Sequence, residues 1–312
     1  MTALALAESP DAERAAGHRL GIAAVLASTA FWSFGGSLGK ATHVTGVVLS
    51  FWRMWIATGV ITVVALVVRR RPTRVDVRRC LPMGVVFGCN ICAFFITLQY
   101  VSIAVALIIG ALTPVVALPI AVAFLGERVT ALKLTCALAA VGGVVVAVLT
   151  APNPSDGADT TIGYVWAVAS LFIWVGYILM SKRVRRQVET VRMMWAVTFV
   201  GALTVSGIAA ATKADLGSLH GIGWLWVTVL SVGPGLAGHG LFAWAQPRID
   251  SSVSTVLIQA EPVGAALVAW VFLGQRMVLR QGIAMALVLA ALGTLAYREA
   301  RDDPTIIGEG RL

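Results

Sequence analysis

Glu261 and His239 are the two residues of this chain best placed for acid–base chemistry. Both fall inside long apolar stretches, where an ionisable side chain is costly and marks a functional site until shown otherwise. Glu261 lies ten residues beyond Ser251, where its stretch begins; at roughly 1.5 Å per residue it sits about 15 Å deep, near the middle of a bilayer. A carboxyl at that depth could bind a proton and release it as its surroundings change. His239 lies ten residues before a turn near Ile249 and Glu261 twelve after it. An antiparallel pair of helices therefore brings them nearly level, to meet directly or across a bound molecule. The competing readings are an acid that ties helices together and a histidine satisfied by a backbone carbonyl.

A neutral pair occupies the same level elsewhere in the chain. Asn90 precedes a turn near Val101, and Thr113 follows it at matching distance. One neutral wall and one ionisable wall suit a zwitterion or an amphipathic cation. Aromatic residues supply more lining: Trp166, Ser170, Trp174, Tyr177 and Ser181 recur at helical spacing and share one face. Trp32 and Ser28 hold the equivalent face of an earlier segment. Plain packing is the alternative for Trp174 and Tyr177; aromatic rings also suit cations. Arg53 lies about eight residues into its stretch, roughly 12 Å from its surface. A central arginine costs roughly 2.5–3.5 kcal/mol on insertion scales, so Arg53 is expected to snorkel outward or pair with a helix end, in a structural role. Cys89-Asn-Ile-Cys92 has redox or metal spacing, but it stands alone without histidine ligands. Small packing residues are the simpler reading, and no metal or cofactor is expected.

The elements that position these residues follow from composition. The chain is 58% hydrophobic and 12% charged, with mean hydropathy +0.87. Soluble domains carry about 25% charged residues, so the excess apolar surface needs lipid. Ten stretches can each span a bilayer as a helix: 20–39, 45–68, 81–99, 103–125, 134–150, 162–181, 193–212, 223–246, 251–274 and 281–297. Gly233-Pro234-Gly235 and Pro114 interrupt two of them. The net charge of +9 is held in short clusters between apolar stretches, which speaks for membrane topology and against nucleic acid. Arg69 to Arg71, Arg74, Arg78 and Arg79 occupy one loop, and Lys182, Arg183, Arg185 and Arg186 another. The alternate loops hold only Lys40, Lys213, Arg276 and Arg280. That bias places both termini in the cytoplasm.

The chain also repeats itself. Pro114 to Arg128 and Pro262 to Arg276 share Pro, nine residues, Phe-Leu-Gly, one residue, Arg. Trp32 and Lys40 are echoed by Trp174 and Lys182. With five helices in each half, the second copy must enter the membrane upside down. The expected divisions are a cytoplasmic tail over 1–19, a first repeat over 20–150, an external linker over 151–161, a second repeat over 162–298 and a cytoplasmic tail over 299–312. The fold class is all-α integral membrane, ten transmembrane helices as two inverted five-helix repeats around a central cavity.

These residues resemble the drug/metabolite transporter superfamily in its ten-helix EamA-like branch, over about residues 20 to 298. Phe31-Trp32-Ser33 with Lys40, Phe51-Trp52-Arg53, Tyr100 to Pro114 with Phe124-Leu-Gly126-Glu127-Arg128, and Glu261-Pro262 with Phe272-Leu-Gly274 carry the resemblance. Gln275 departs from it, standing where the family commonly has Glu. The resemblance implies a cavity lined mainly by helices 1, 3, 4, 6, 8 and 9. It also implies transport, often export, of amino acids or other small metabolites; its shared motifs, including Pro114, Pro262, Gly126 and Gly274, serve folding. The expected function is a secondary transporter that exports a small metabolite or amino acid, with Glu261 and His239 as proton-coupling candidates. The expected substrate-binding residues are Trp32, Asn90, Thr113, Trp174, Tyr177, His239 and Glu261. A non-transporting receptor or assembly protein is one alternative. An intramembrane enzyme is another, although no nucleophile–base pair and no His-Glu-x-x-His motif is present. The excess of Arg over Lys suggests a GC-rich bacterium, hence its cytoplasmic membrane. The partners expected are a small-molecule substrate, the lipid bilayer and a possible second copy of the chain, with no nucleic acid.

Overall fold

A computed structural model describes residues 10–150, 160–273 and 277–301. Gly274, Gln275, most of the expected linker and the outer ends of both tails lie outside the described residues. Ten spans among the described residues are long and apolar enough to cross a membrane, and those residues form no strand.

Six spans are single helices: α3 (Gly46–Val67), α4 (Arg74–Tyr100), α7 (Ala131–Leu149), α8 (Thr161–Arg185), α9 (Thr190–Ala211) and α14 (Leu279–Arg301). Their starts follow capping chemistry. Thr45, Thr130 and Thr160 accept the first free backbone N–H groups of α3, α7 and α8, and Thr73 with Asp76 forms a reciprocal capping box on α4. Helix α8 closes on Lys182, Arg183 and Arg185, cations that suit a helix C-terminus.

The other four spans are broken. The first is α1 (Pro10–Trp32) and α2 (Gly35–Ala41), interrupted at Ser33-Phe34 ahead of two poorly helical glycines. The fourth is α5 (Ile103–Gly110) and α6 (Thr113–Leu125). Pro114 sits in the first turn of α6, where its missing N–H leaves no bond unmade, and Gly126 ends the helix at φ +66 in the left-handed region. The eighth is α10 (Gly223–Leu230), a π-helical segment Ser231–Gly238 and α11 (His239–Ala245). The ninth is α12 (Ser251–Leu257) and α13 (Ala260–Leu273), with Pro262 in the first turn of α13. The fourth and ninth spans thus break at corresponding points of the two repeats. The first and eighth break without counterparts, because α8 and α4 run straight.

Helix α4 packs along α8 and α9, α3 along α9, α7 along α14, and α1 along α11 and the π segment. The unbroken α4 therefore faces the unbroken α8, and the broken first span faces the broken eighth. Helices α4 and α9 approach closely at Gly88, where an added Cβ would lie 2.8 Å from the Gly201 carbonyl oxygen. The outer surface exposes Val63, Leu66, Leu138, Phe172 and Leu287, an apolar rim suited to lipid. Helix α1 begins at Pro10, well inside the expected tail, because Ala12, Glu13, Arg14, Ala15 and Ala16 are good helix formers.

Candidate functional site

A cavity of about 150 Å³ lies between the first, third, fourth, sixth, eighth and ninth spans, with Arg53 of the second span also on its wall. Trp32, Asn90, Thr113, Trp174, His239 and Glu261 all line it. Tyr177 does not. Its ring stacks behind Trp174 at 5.2 Å between centroids, and its buried hydroxyl has no hydrogen-bond partner among the described residues. One turn of α8 separates the two rings and points only Trp174 into the open space.

The π segment builds one wall. Its wider turn and Pro234 free backbone carbonyls from the α-helical ladder. The Pro234 carbonyl accepts from Trp32 Nε1 at 3.1 Å and lies 2.9 Å from His239 Nδ1. With the proton on Nδ1, both rings donate to one oxygen. Gly238 is what allows this approach, since a Cβ there would meet Trp32 Nε1 at 2.6 Å. Trp32 also meets Trp174 edge-on, with centroids 5.5 Å apart. Asn90 is fixed as well, its amide donating to the Ser170 carbonyl at 3.0 Å. The Thr113 hydroxyl donates to the Gly110 carbonyl at 2.6 Å, at the break of the fourth span.

The break of the ninth span helps satisfy that of the fourth. Gln259 donates from Nε2 to the Ala111 carbonyl, one of those the interruption of the fourth span leaves unpaired. On the other side, Ser33 donates to the Thr29 carbonyl at 2.7 Å and to the Glu261 carbonyl at 3.3 Å. The first break therefore packs on the start of α13, directly above Gly264, where an added Cβ would collide with Ser33 Oγ.

Two ionisable groups on this cavity have no polar partner among the described residues. The Glu261 carboxyl makes no hydrogen bond or ion pair with a described residue, and it neither bonds to nor pairs with His239 although both face the same space. Arg53 also lines the cavity. It neither snorkels outward nor pairs with a helix end.

Across residues 19–149 and again across 161–297, the chain matches the model of the EamA-like transporter family. The chain belongs to the EamA-like transporter family. An "Uncharacterized transporter" of Archaeoglobus fulgidus is 25% identical over 224 residues, covering 71% of this chain and 77% of that protein. A solved crystal structure titled only as that of a protein superposes with a TM-score of 0.72 at 23% identity, covering 93% of this chain and 99% of that one. At that identity the likeness concerns the fold. The protein is thus a membrane transporter of the EamA-like kind.

In this EamA-like chain a second polar cluster closes the bundle at the end away from the cavity, where α6 and α8 terminate. Glu127 follows the left-handed Gly126 and turns its carboxylate onto the start of α12. It accepts from the Ser251 and Ser252 backbone N–H groups, each at 2.8 Å. Lys182 reaches it at 2.6 Å and donates as well to the Ile249 carbonyl at 3.1 Å. Lys133 pairs with Asp250 at 2.9 Å and with Glu299 at 3.6 Å. Burial alone would push the Glu127 carboxyl up, but Lys182 and the Ser252 backbone N–H bring it below the usual carboxylate range. Asp250 is likewise held low against burial by Lys133 and Lys182. This latch and the Gln259 bond are polar contacts that sequence reading did not assign. The repeat held a signal for the latch: Lys182 corresponds to Lys40, and Glu127 to Gln275.

Proposed function

We propose that the protein is a secondary transporter that exports a small metabolite, amino acids among the candidates, across a bacterial cytoplasmic membrane by alternating access. Both termini are cytoplasmic, and the two repeats are inverted about an axis in the membrane plane. The observation that carries this reading is one cavity, lined by seven of the ten described spans, that presents Glu261 and His239 from its walls without joining them. Unjoined, the two groups are available to a substrate and to protons. Glu261 is the coupling residue in this reading: it binds a proton on one side of the membrane and releases it on the other. Trp32, Trp174, Asn90 and Thr113 shape the cavity, and Tyr177 supports Trp174 from behind. The basic loop Arg69 to Arg71 and the Lys and Arg cluster ending α8 lie on the cytoplasmic side. The latch around Glu127 then faces the cytoplasm, and the cavity is displaced toward the exterior.

The test is overexpression in a bacterial host and comparison of metabolites in the medium with those of a Glu261→Gln control. A compound that accumulates outside only with the native chain names the substrate class and supports the coupling role. Equal profiles from two proteins both present in the membrane sink the export reading for the host's metabolites.

A further inference from the structure

Arg53 is 5% exposed, sits in a span and lines the transport cavity. The guanidinium carries its charge in proteins, and a charge at membrane depth is normally paired or turned toward water. Arg53 makes no hydrogen bond or ion pair with any described residue. Its Cζ lies 5.2 Å from the centre of the Phe95 ring. Gly235 of the π segment faces it, where an added Cβ would stand 3.6 Å from Nε. The missing side chain of Gly235 leaves room beside the guanidinium on the π-segment side. The Glu261 carboxyl stands on the same cavity, equally unpaired, and the lining between is aromatic through Trp32, Phe94, Phe95 and Trp174.

A guanidinium presents two parallel N–H groups that match the two oxygens of a carboxylate or phosphate. We propose that Arg53 is the residue that selects cargo by its oxyanion, a carboxylate foremost, while Glu261 receives the opposite, cationic or hydrogen-bond-donating pole. The inference rests on the transport reading of this cavity. It narrows the cargo to small molecules that bring their own anion, and it excludes amphipathic cations that lack one. The Phe95 ring offsets part of the cost of this guanidinium, and an anionic cargo offsets more, which couples occupancy of the site to cargo of the right charge.

The test is equilibrium binding to the purified full-length protein in lipid nanodiscs. The panel pairs leucine and phenylalanine with their amides and their decarboxylated amines, and adds inorganic phosphate. At least one acid, or phosphate, is expected to bind at least tenfold more tightly than any amide or amine. Arg53→Gln is expected to weaken that binding at least tenfold and leave the amides unchanged, whereas Arg53→Lys keeps part of the preference. A stronger response to phosphate than to the acids places the selectivity on phosphorylated cargo. Amides that match the acids, an acid preference that survives Arg53→Gln, or no binding of any acid or of phosphate each overturns the proposal. Acid-selective binding without flux in proteoliposomes would count against transport alone. Flux with amides as good as acids would count against Arg53 alone.

Discussion

Glu261 and His239 were placed level with each other by counting residues from one turn, and they face a common cavity. Depth can be read this way because a helix advances a fixed 1.5 Å per residue. Direction around the helix cannot, and Arg53 illustrates the difference. Its depth was legible; its turn toward the cavity depends on Gly235 and on the wider π turn of another span. Tyr177 likewise shares a helical face with Trp174, but the ring before it takes the cavity wall. Glu261→Gln is expected to abolish the pH dependence of transport, and His239→Ala to reduce transport at every pH. Flux measured across a pH series in proteoliposomes checks both, and two unaltered profiles would remove both residues from the mechanism. Gly238→Ala is expected to displace Trp32 from the Pro234 carbonyl. A site of that tightness costs about 1–3 kcal/mol when overpacked, to be seen as a lowered midpoint of thermal unfolding together with weaker substrate binding.

At the scale of elements, the positions of the breaks were partly written in Pro114 and in Gly233-Pro234-Gly235. The break at Ser33-Phe34 and the straightness of α4 and α8 were not, since helix propensities are weak beside packing against neighbours. The Gln259 bond was also illegible, because it joins residues 148 apart through the tertiary fold alone. Gln259→Leu leaves the Ala111 carbonyl unsatisfied and is expected to destabilise by about 1–3 kcal/mol. Gly264→Ala drives a methyl into Ser33, and its cost is expected to shrink when Ser33→Gly is combined with it. Thermal unfolding of the single and double variants measures that coupling, and strictly additive effects would show that the two spans do not bear on each other there. The pairing of broken with broken and straight with straight spans also divides the molecule. We expect amide hydrogen exchange to be fast across the π segment and slow along α4 and α8, because an interrupted ladder opens locally at less cost.

For the whole molecule, all ten spans were legible in place and order, though several ends, such as the start of α4 at Arg74 rather than residue 81, lie some residues off, since a bilayer imposes length and apolarity on every crossing. The latch was legible only as unassigned charges in a repeat. Glu127→Gln, or Lys182→Met, breaks a buried pair and is expected to cost about 3–5 kcal/mol. The stabilising effect of the Glu127 carboxylate is fully present above the ordinary carboxylate range and is lost as pH falls through its depressed value in the folded protein. Unfolding midpoints should therefore fall with acidification below about pH 4.5 in the native chain, and less steeply in Glu127→Gln. The side chains of Lys182 and Glu127 are only 8% and 5% exposed. Dissolved ions weaken charge attraction over about 8 Å of solution at physiological strength, but they do not enter a packed helix junction. The strength of this closure is therefore indifferent to the salinity of the solution it borders. Any dependence of transport on ionic strength must originate elsewhere, in the arginine-rich loop at the membrane surface or in the charge that the cargo itself brings to the entrance.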